Sequence, residues 1–345
     1  MMWLTWRQFR TQGIIAAAGL AAVAIVLVVT GVNLSDHYNT SGIIGCHGPG
    51  SCGTLASNFL TSLRGSYYQV VFLIAVGLIY AVPGLIGLFW GAPLITREIE
   101  SGTFRLAWTQ SVSRTRWLAI KVGVIGLASM ATAGLLSLMA GWWVSPVYAA
   151  SAKASAQSTL VNRLEPALFG VSGIAPIGYA AFGFALGLTM GVLLRRTLAA
   201  MAATLAVFAG IQVVWPQFIR PHLLTPLRSI VPFDPSNITS LMVNSSNHDM
   251  LVSASVQKPG AWILTNQTID AAGHPFTGPA TKACLGGGIQ ACNASVGRLH
   301  LRQLVTFQPA GRFWTFQWYE TGIFIALALA LTWFCFWRVS RRRVT

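Results

Sequence analysis

Charge is what this sequence has least of. Only 9% of its 345 residues are Asp, Glu, Lys or Arg, against roughly 25% in an ordinary soluble protein. A soluble chain of this length cannot cover its surface with so few charges, so lipid must solvate most of it. Acidic residues are scarcer still, 8 against 23 basic ones, for a net charge of +15. Lysine occurs four times, at Lys121, Lys153, Lys258 and Lys282, and never after a glycine. A Walker A loop needs Gly-Lys-[Ser/Thr] to cradle phosphates, so no P-loop is present. No two acids are close enough in the predicted outer segments to suggest a dicarboxylate enzyme.

What is there, in quantity, is long apolar sequence. Six runs approach the roughly 20 residues that cross a bilayer as a helix: Gly13–Val32, Val70–Pro93, Val122–Val144, Ala167–Leu194, Leu198–Trp215 and Thr321–Trp337. None holds an ionisable residue in its interior, which argues against a proton- or sodium-coupled carrier. Energy for uphill movement would have to come from another subunit. Pro83 and Pro176 fall inside the second and fourth runs, where neighbouring helices re-satisfy freed carbonyls. Trp3, Trp6 and Phe9 recur at helical spacing before the first run, predicting a short interfacial helix. That run is too long for a signal peptide and lacks a cleavage site, so it reads as an uncleaved span.

Six spans place both termini on one side. That side receives 13 of the 23 basic residues in far fewer residues than the other, so the positive-inside rule predicts cytoplasmic termini in the cell membrane. All six histidines and four of the five cysteines then fall on the outer side, where disulfides persist. The arginine tail Arg338–Arg343 reads as a stop-transfer anchor, and no nucleic-acid motif accompanies it.

The predicted cytoplasmic loop between the second and third spans carries the most information. It holds the only acids on that face, Glu98 and Glu100, in Arg97-Glu98-Ile99-Glu100-Ser101-Gly102-Thr103-Phe104-Arg105, with Trp108 on the same helical face as Phe104. Gly102 breaks a helix and Thr103 caps a new one. A short amphipathic helix there is a handle for a cytoplasmic partner; the alternative is a solvated loop whose charges orient the spans.

This acidic pair, Gly-Thr, aromatic and basic residue, followed by Ser113-Arg114 and Lys121, resembles the coupling segment of type-2 ABC exporter permeases. Trp90-Gly91-Ala92-Pro93-Leu94 and Gln308-Pro309-Ala310-Gly311-Arg312-Phe313-Trp314 look like an actinobacterial branch of that family. The resemblance implies a separate cytoplasmic ABC ATPase in two copies that binds ATP and Mg, with no cofactor in this chain. It also implies a second permease copy, as a homodimer or a heterodimer. By the same analogy spans two and five face each other across the pathway, presenting Phe72, Tyr80, Phe89, Phe208, Gln212 and Trp215. Such an apolar, aromatic route suits a hydrophobic or amphipathic cargo; any of these side chains would otherwise face lipid or a neighbouring helix.

The predicted outer segment from Pro216 to Tyr319 is too long for a mere connection. Ala261–Thr265 reads as a strand, and Cys284 and Cys292 bracket a glycine-rich loop. In the first outer loop, residues 33–69, Cys46 and Cys52 flank His47. Local disulfide pairing is expected for both pairs, with zinc bound by Cys46, His47 and Cys52 the alternative. Glu320 is the one acid at the outer mouth of a span, beside Gln317. It would either gate the exit or pair with Arg312 or a backbone amide.

The expected fold is therefore all-α in the membrane, six transmembrane helices with cytoplasmic termini, plus a small disulfide-stabilised mixed α/β cap. Residues 1–215 hold the first five spans and the coupling segment 96–117, residues 216–319 the cap, and residues 320–345 the last span and basic tail. The expected function is the permease subunit of an ATP-driven exporter of a drug, antibiotic, peptide or lipid. Two other readings are a non-transporting sensor or self-protection component whose cap binds a ligand, and a membrane enzyme acting on a lipid-linked substrate.

Overall fold

A computed structural model describes residues 2–47, 49–100, 114–154, 162–243, 249–256, 258–286 and 288–341. Among them six helical segments are long and apolar enough to cross a membrane: Phe9–Thr40, Tyr67–Arg97, Leu118–Ser151, Ala175–Leu194, Thr197–His222 and Ala310–Ser340. We number these spans one to six. Five of the six predicted runs lie wholly within them.

Three expectations need correction. Span one is the body of a single helix, Met2–Thr40, of 39 residues, about 58 Å long at 1.5 Å per residue. No separate interfacial helix precedes it, because nothing between Phe9 and Gly13 stops a helix. Phe9 instead packs edge-on against Trp90 with ring centroids 4.8 Å apart. Span four begins at Ala175, later than predicted, after the 3-10 turn Phe169–Val171. Pro176 therefore stands in the first turn, where a missing N–H costs nothing, while Pro83 does lie inside a helix. The expected first outer loop is also more ordered than a loop: a helix over Pro49–Leu63 occupies most of its second half.

Span four is the centre of the bundle. In its most apolar stretch 72% of residues are buried, against 6% for span one, and it packs against spans two, three, five and six. Glycine makes this possible. Gly183, Gly187 and Gly191 recur every fourth residue and face Pro83, Gly87 and Ala92 of span two. A Cβ added at Gly183 would sit 2.5 Å from the Pro83 carbonyl oxygen, and one at Gly191 2.7 Å from that of Ala92. Small residues at this spacing let two backbones touch. Span two also widens into a π-helical turn over Gly87–Gly91, as span five does over Trp215–Ile219.

At one end of the bundle the chain between spans five and six forms a cap, whose described residues include six strands: β1 Leu227–Pro232, β2 Ile238–Val243, β3 Asp249–Ala254, β4 Trp262–Ile269, β5 Gly278–Pro279 and β6 Arg302–Gln308. They make two antiparallel sheets of order β1-β6-β4 and β2-β3-β5. The expected strand at Ala261–Thr265 is the start of β4. Side chains of the first sheet reach the second: Thr268 Oγ1 donates to Val252 O and Asn266 Nδ2 to Ala254 O. The helix Gly288–Gly297 covers Met250, Val252 and Leu301 with Val296. Cys284–Cys292 and Cys46–Cys52 are disulfides, so the two thiols that zinc would need are joined to each other. We call this the cap end and the opposite one the terminal end.

Candidate functional site

At the terminal end, span two runs into the helix Pro93–Glu100, which carries Arg97, Glu98, Ile99 and Glu100. Arg97 is exposed. Gly102, Thr103, Phe104, Arg105 and Trp108 lie outside the described residues. Glu100 has a specific partner. Its carboxylate accepts from the backbone N–H of Thr197 (2.8 Å) and from the Thr197 hydroxyl (2.7 Å). That hydroxyl lies 2.9 Å from Thr96 Oγ1, which donates to Ala92 O. Thr197 opens span five, and Arg196 before it offers no side-chain cap. Glu100 thus caps span five from another helix, satisfying one of the orphan amides at a helix N-terminus with a charge of the favoured sign. The Thr197 amide and hydroxyl hold the Glu100 carboxyl below the ordinary glutamate value. Between spans four and five, Arg195 takes a left-handed conformation and its N–H returns to Gly191 O.

In the middle of the bundle the six aromatic and polar side chains anticipated for a pathway separate into different environments. Phe208 is buried on Gly84 of span two and stacked on Phe182 of span four. Spans two and five therefore touch each other within one chain. Phe72 stacks on Trp143, and Tyr80 on Tyr179. Phe89 is 49% exposed and lines an apolar groove of about 470 Å3 among spans one, two and three. Gln212 and Trp215, one turn apart on span five, have buried nitrogens without a hydrogen-bond partner among the described residues.

The cap end holds a feature that sequence reasoning missed. Glu320, first proposed at an exit mouth, is 0% exposed and forms a two-pronged ion pair with Arg220, itself 1% exposed. Arg220 Nε and Nη2 donate to the two carboxylate oxygens, each at 2.8 Å. The Tyr179 hydroxyl donates to the same carboxylate. Arg220 also lies over the Phe169 ring, 4.2 Å from its centroid. Tyr80 donates to Pro166 O (3.1 Å) and accepts from the amide of Gly170. The cluster joins spans two, four, five and six. Arg312, the partner considered from sequence, is instead held by Thr225 O and Gln308 Oε1.

Gln317, one turn before Glu320, uses every hydrogen-bonding capacity of its amide. Its oxygen accepts from the N–H groups of Ile174 (3.0 Å) and Ala175 (2.8 Å), and its nitrogen donates to the carbonyls of Phe169 and Ser172. It caps span four from span six. Gly173 beside it has φ +113°, and a Cβ there would meet the Gln317 amide at 2.6 Å, so glycine is required. Neither Glu320 nor Gln317 is open to a ligand in this arrangement.

A charge-poor bundle of six membrane-length helices, tightened around a glycine-faced central helix and cross-capped at its ends, defines a polytopic membrane protein. Its family is given by the match of residues 17–220 to the model described as ABC-2 membrane transporter related. That match covers more than half of the chain, which therefore belongs to this family and is a membrane component of ABC-transporter type. No curated protein and no solved structure matches significantly.

Proposed function

We propose that this chain is the permease subunit of an ATP-driven exporter for a hydrophobic or amphipathic compound. It works with two copies of a separate cytoplasmic ABC ATPase and a second permease copy, in the cell membrane, with both termini and the segment 96–117 on the cytoplasmic side. The observation that carries this reading is the clamp of Glu100 on Thr197. A force applied to the helix Pro93–Glu100 acts on span two, of which it is the continuation, and on span five, which it caps. Those are the two spans expected to border the pathway. At the other end, opening toward the cap separates elements that the Arg220–Glu320–Tyr179 cluster now holds together. Export as the direction, and the cargo class, rest on the resemblance and on the aromatic side chains of spans two and five.

The test is co-purification with an ATPase followed by reconstitution in liposomes. Wild type is expected to hydrolyse ATP with cargo stimulation and to move cargo. Glu100→Ala is expected to retain the ATPase but to lose transport per ATP. Normal coupling in that variant would sink the role of Glu100. Stimulated hydrolysis without any cargo movement in wild type would favour the sensor reading, in which the cap binds a ligand and the bundle only signals.

A further inference from the structure

Beneath the cap lies a cavity of about 760 Å3, within the range of small-molecule sites. Its walls come from the cap-end turns of span three, the segment 162–164, the connection between β3 and β4, and the first turn of span six. Two cations, Arg163 and Lys258, are part of this wall, and among the described residues that line it there is no Asp or Glu. The Arg163 guanidinium lies 4.7 Å from the centroid of the Tyr148 ring, and the Lys258 ammonium 4.3 Å from that of Phe307. Neither is ion-paired with a carboxylate among the described residues. Stacking on a ring steadies a long cation while leaving its N–H donors unspent. Glu165 stands two residues from Arg163, yet its carboxyl is pushed up by burial, with no cation drawing it down. Arg163 is therefore not committed to it.

The other half of the wall is apolar, with Ile263, Phe313 and Trp314. Trp314 is 56% exposed and sits where span six enters the membrane, the level at which tryptophan marks the interface. Cations with available donors, an apolar side and a lip at the bilayer surface suit a ligand with an anionic head and an apolar body. We propose that this cavity binds the phosphate-type headgroup of an anionic amphiphile whose chains lie in the leaflet at the cap end. The site is independent of the transport reading and stands whether or not this chain moves cargo.

The test uses the full-length chain in neutral detergent at constant ionic strength. It is titrated by calorimetry with a short-chain phosphatidylglycerol, a short-chain phosphatidylcholine and inorganic phosphate. Phosphatidylglycerol is expected to saturate one site per chain, with the other two at least tenfold weaker. Arg163→Gln/Lys258→Gln is expected to weaken phosphatidylglycerol by tenfold or more. Because a protein of net charge +15 attracts anions everywhere, Arg228→Gln/Arg298→Gln serves as a control that removes equal charge from exposed positions outside the wall, and it should bind as wild type does. Equal affinity in the Arg163/Lys258 variant, equal loss in the control, or phosphatidylcholine binding as tightly as phosphatidylglycerol overturns the proposal. Inorganic phosphate binding as tightly as phosphatidylglycerol also overturns it, by assigning the cations to a soluble anion. Should the double variant fail to fold, the three ligands on wild type decide alone.

Discussion

Removing the Glu320 carboxylate tests how the cap end is held. In Glu320→Ala, Arg220 keeps its position over Phe169 and its long contact to Pro166 O (3.4 Å), but both 2.8 Å bonds to carboxylate vanish. Arg220 is 1% exposed, so water cannot replace them. Leaving one partner of a buried pair uncompensated costs about 3–5 kcal/mol. The ring contact is present in wild type as well, so it cancels in the comparison and offsets none of this cost. We take about 3 kcal/mol as the expected loss, roughly a hundredfold in the folding equilibrium, and, for a chain of 345 residues, a fall in unfolding midpoint of about 4 °C. Arg220→Met should behave similarly, leaving the carboxylate buried with only the Tyr179 hydroxyl.

The decisive comparison is the pair removed together. Arg220→Met/Glu320→Leu buries no charge, and replacing a buried ion pair by apolar residues is often neutral or stabilising. The Tyr179 hydroxyl is stranded, at about 1–3 kcal/mol, and adding Tyr179→Phe removes that penalty. The assay is the thermal unfolding midpoint of the detergent-solubilised chain, followed by elution as a single species. The single variants should fall well below wild type, and the double variant should recover most of the loss, giving a coupling energy of about 2 kcal/mol or more. Additive losses in the double variant, or a Glu320→Ala midpoint equal to wild type, would refute the argument that desolvation of an unpaired charge dominates here.

Other expectations follow from the same geometry. Gly187→Ala places a Cβ against the Gly87 carbonyl oxygen and 2.8 Å from Ala92 N, so spans two and four must separate; a loss of about 1–3 kcal/mol in the same unfolding assay is expected, and an unchanged midpoint would show that this helix pair yields freely. Gln317→Leu strands two amides at the start of span four and two carbonyls, costing about 3 kcal/mol, with Gln317→Glu also impaired because a carboxylate cannot donate to Phe169 and Ser172. The Glu100 carboxyl is depressed in the folded protein, so its contribution is fully present above the ordinary glutamate value of about 4.3 and is lost as pH falls below it, through the lower folded-state value. Wild type and Glu100→Gln should therefore converge in stability on acidification, and a constant difference down to strongly acidic pH would exclude the clamp as its source.

Membrane spans were readable because the signal is one-dimensional: about 20 apolar residues in succession cross a bilayer whatever their neighbours. Span four was misjudged only at its start, where Ala167–Ile174 are apolar enough to continue the run but turn instead. The two disulfides were equally accessible, since each closes a short loop. Contacts between distant residues were not readable in this way. Glu320 read as an acid at a span mouth, gating the exit or paired with nearby Arg312 or a backbone amide, because its partner lies 100 residues earlier, in Phe218-Ile219-Arg220-Pro221, where Arg220 looked like an ordinary boundary cation. A signal was present nonetheless: Glu320 is the one acid at the cap end of span six and Arg220 the one arginine at the cap end of span five. Gly183, Gly187 and Gly191 likewise advertised a close helix contact by their spacing, but the identity of the facing helix is a matter of tertiary structure.

The same distance effect changes the meaning of Glu100. From sequence it was an acid offered to a cytoplasmic ATPase; in the structure it is engaged with Thr197. Span five is buried along its helical body only at Ala200, Thr204 and Phe208, three positions four residues apart, a single stripe against spans two and four. Its ends are held more specifically, by Glu100 on Thr197 at one and by Glu320 on Arg220 at the other. A helix with one narrow contact stripe, fixed by polar ties at both ends, resists sliding better than it resists tilting about the stripe. Phe208 between Gly84 and Phe182 is then the natural fulcrum, and a movement of Glu100 would be felt at Arg220. Glu100 and Glu320, read from sequence as an ATPase contact and as an exit gate or local ion pair, would act at opposite ends of one lever.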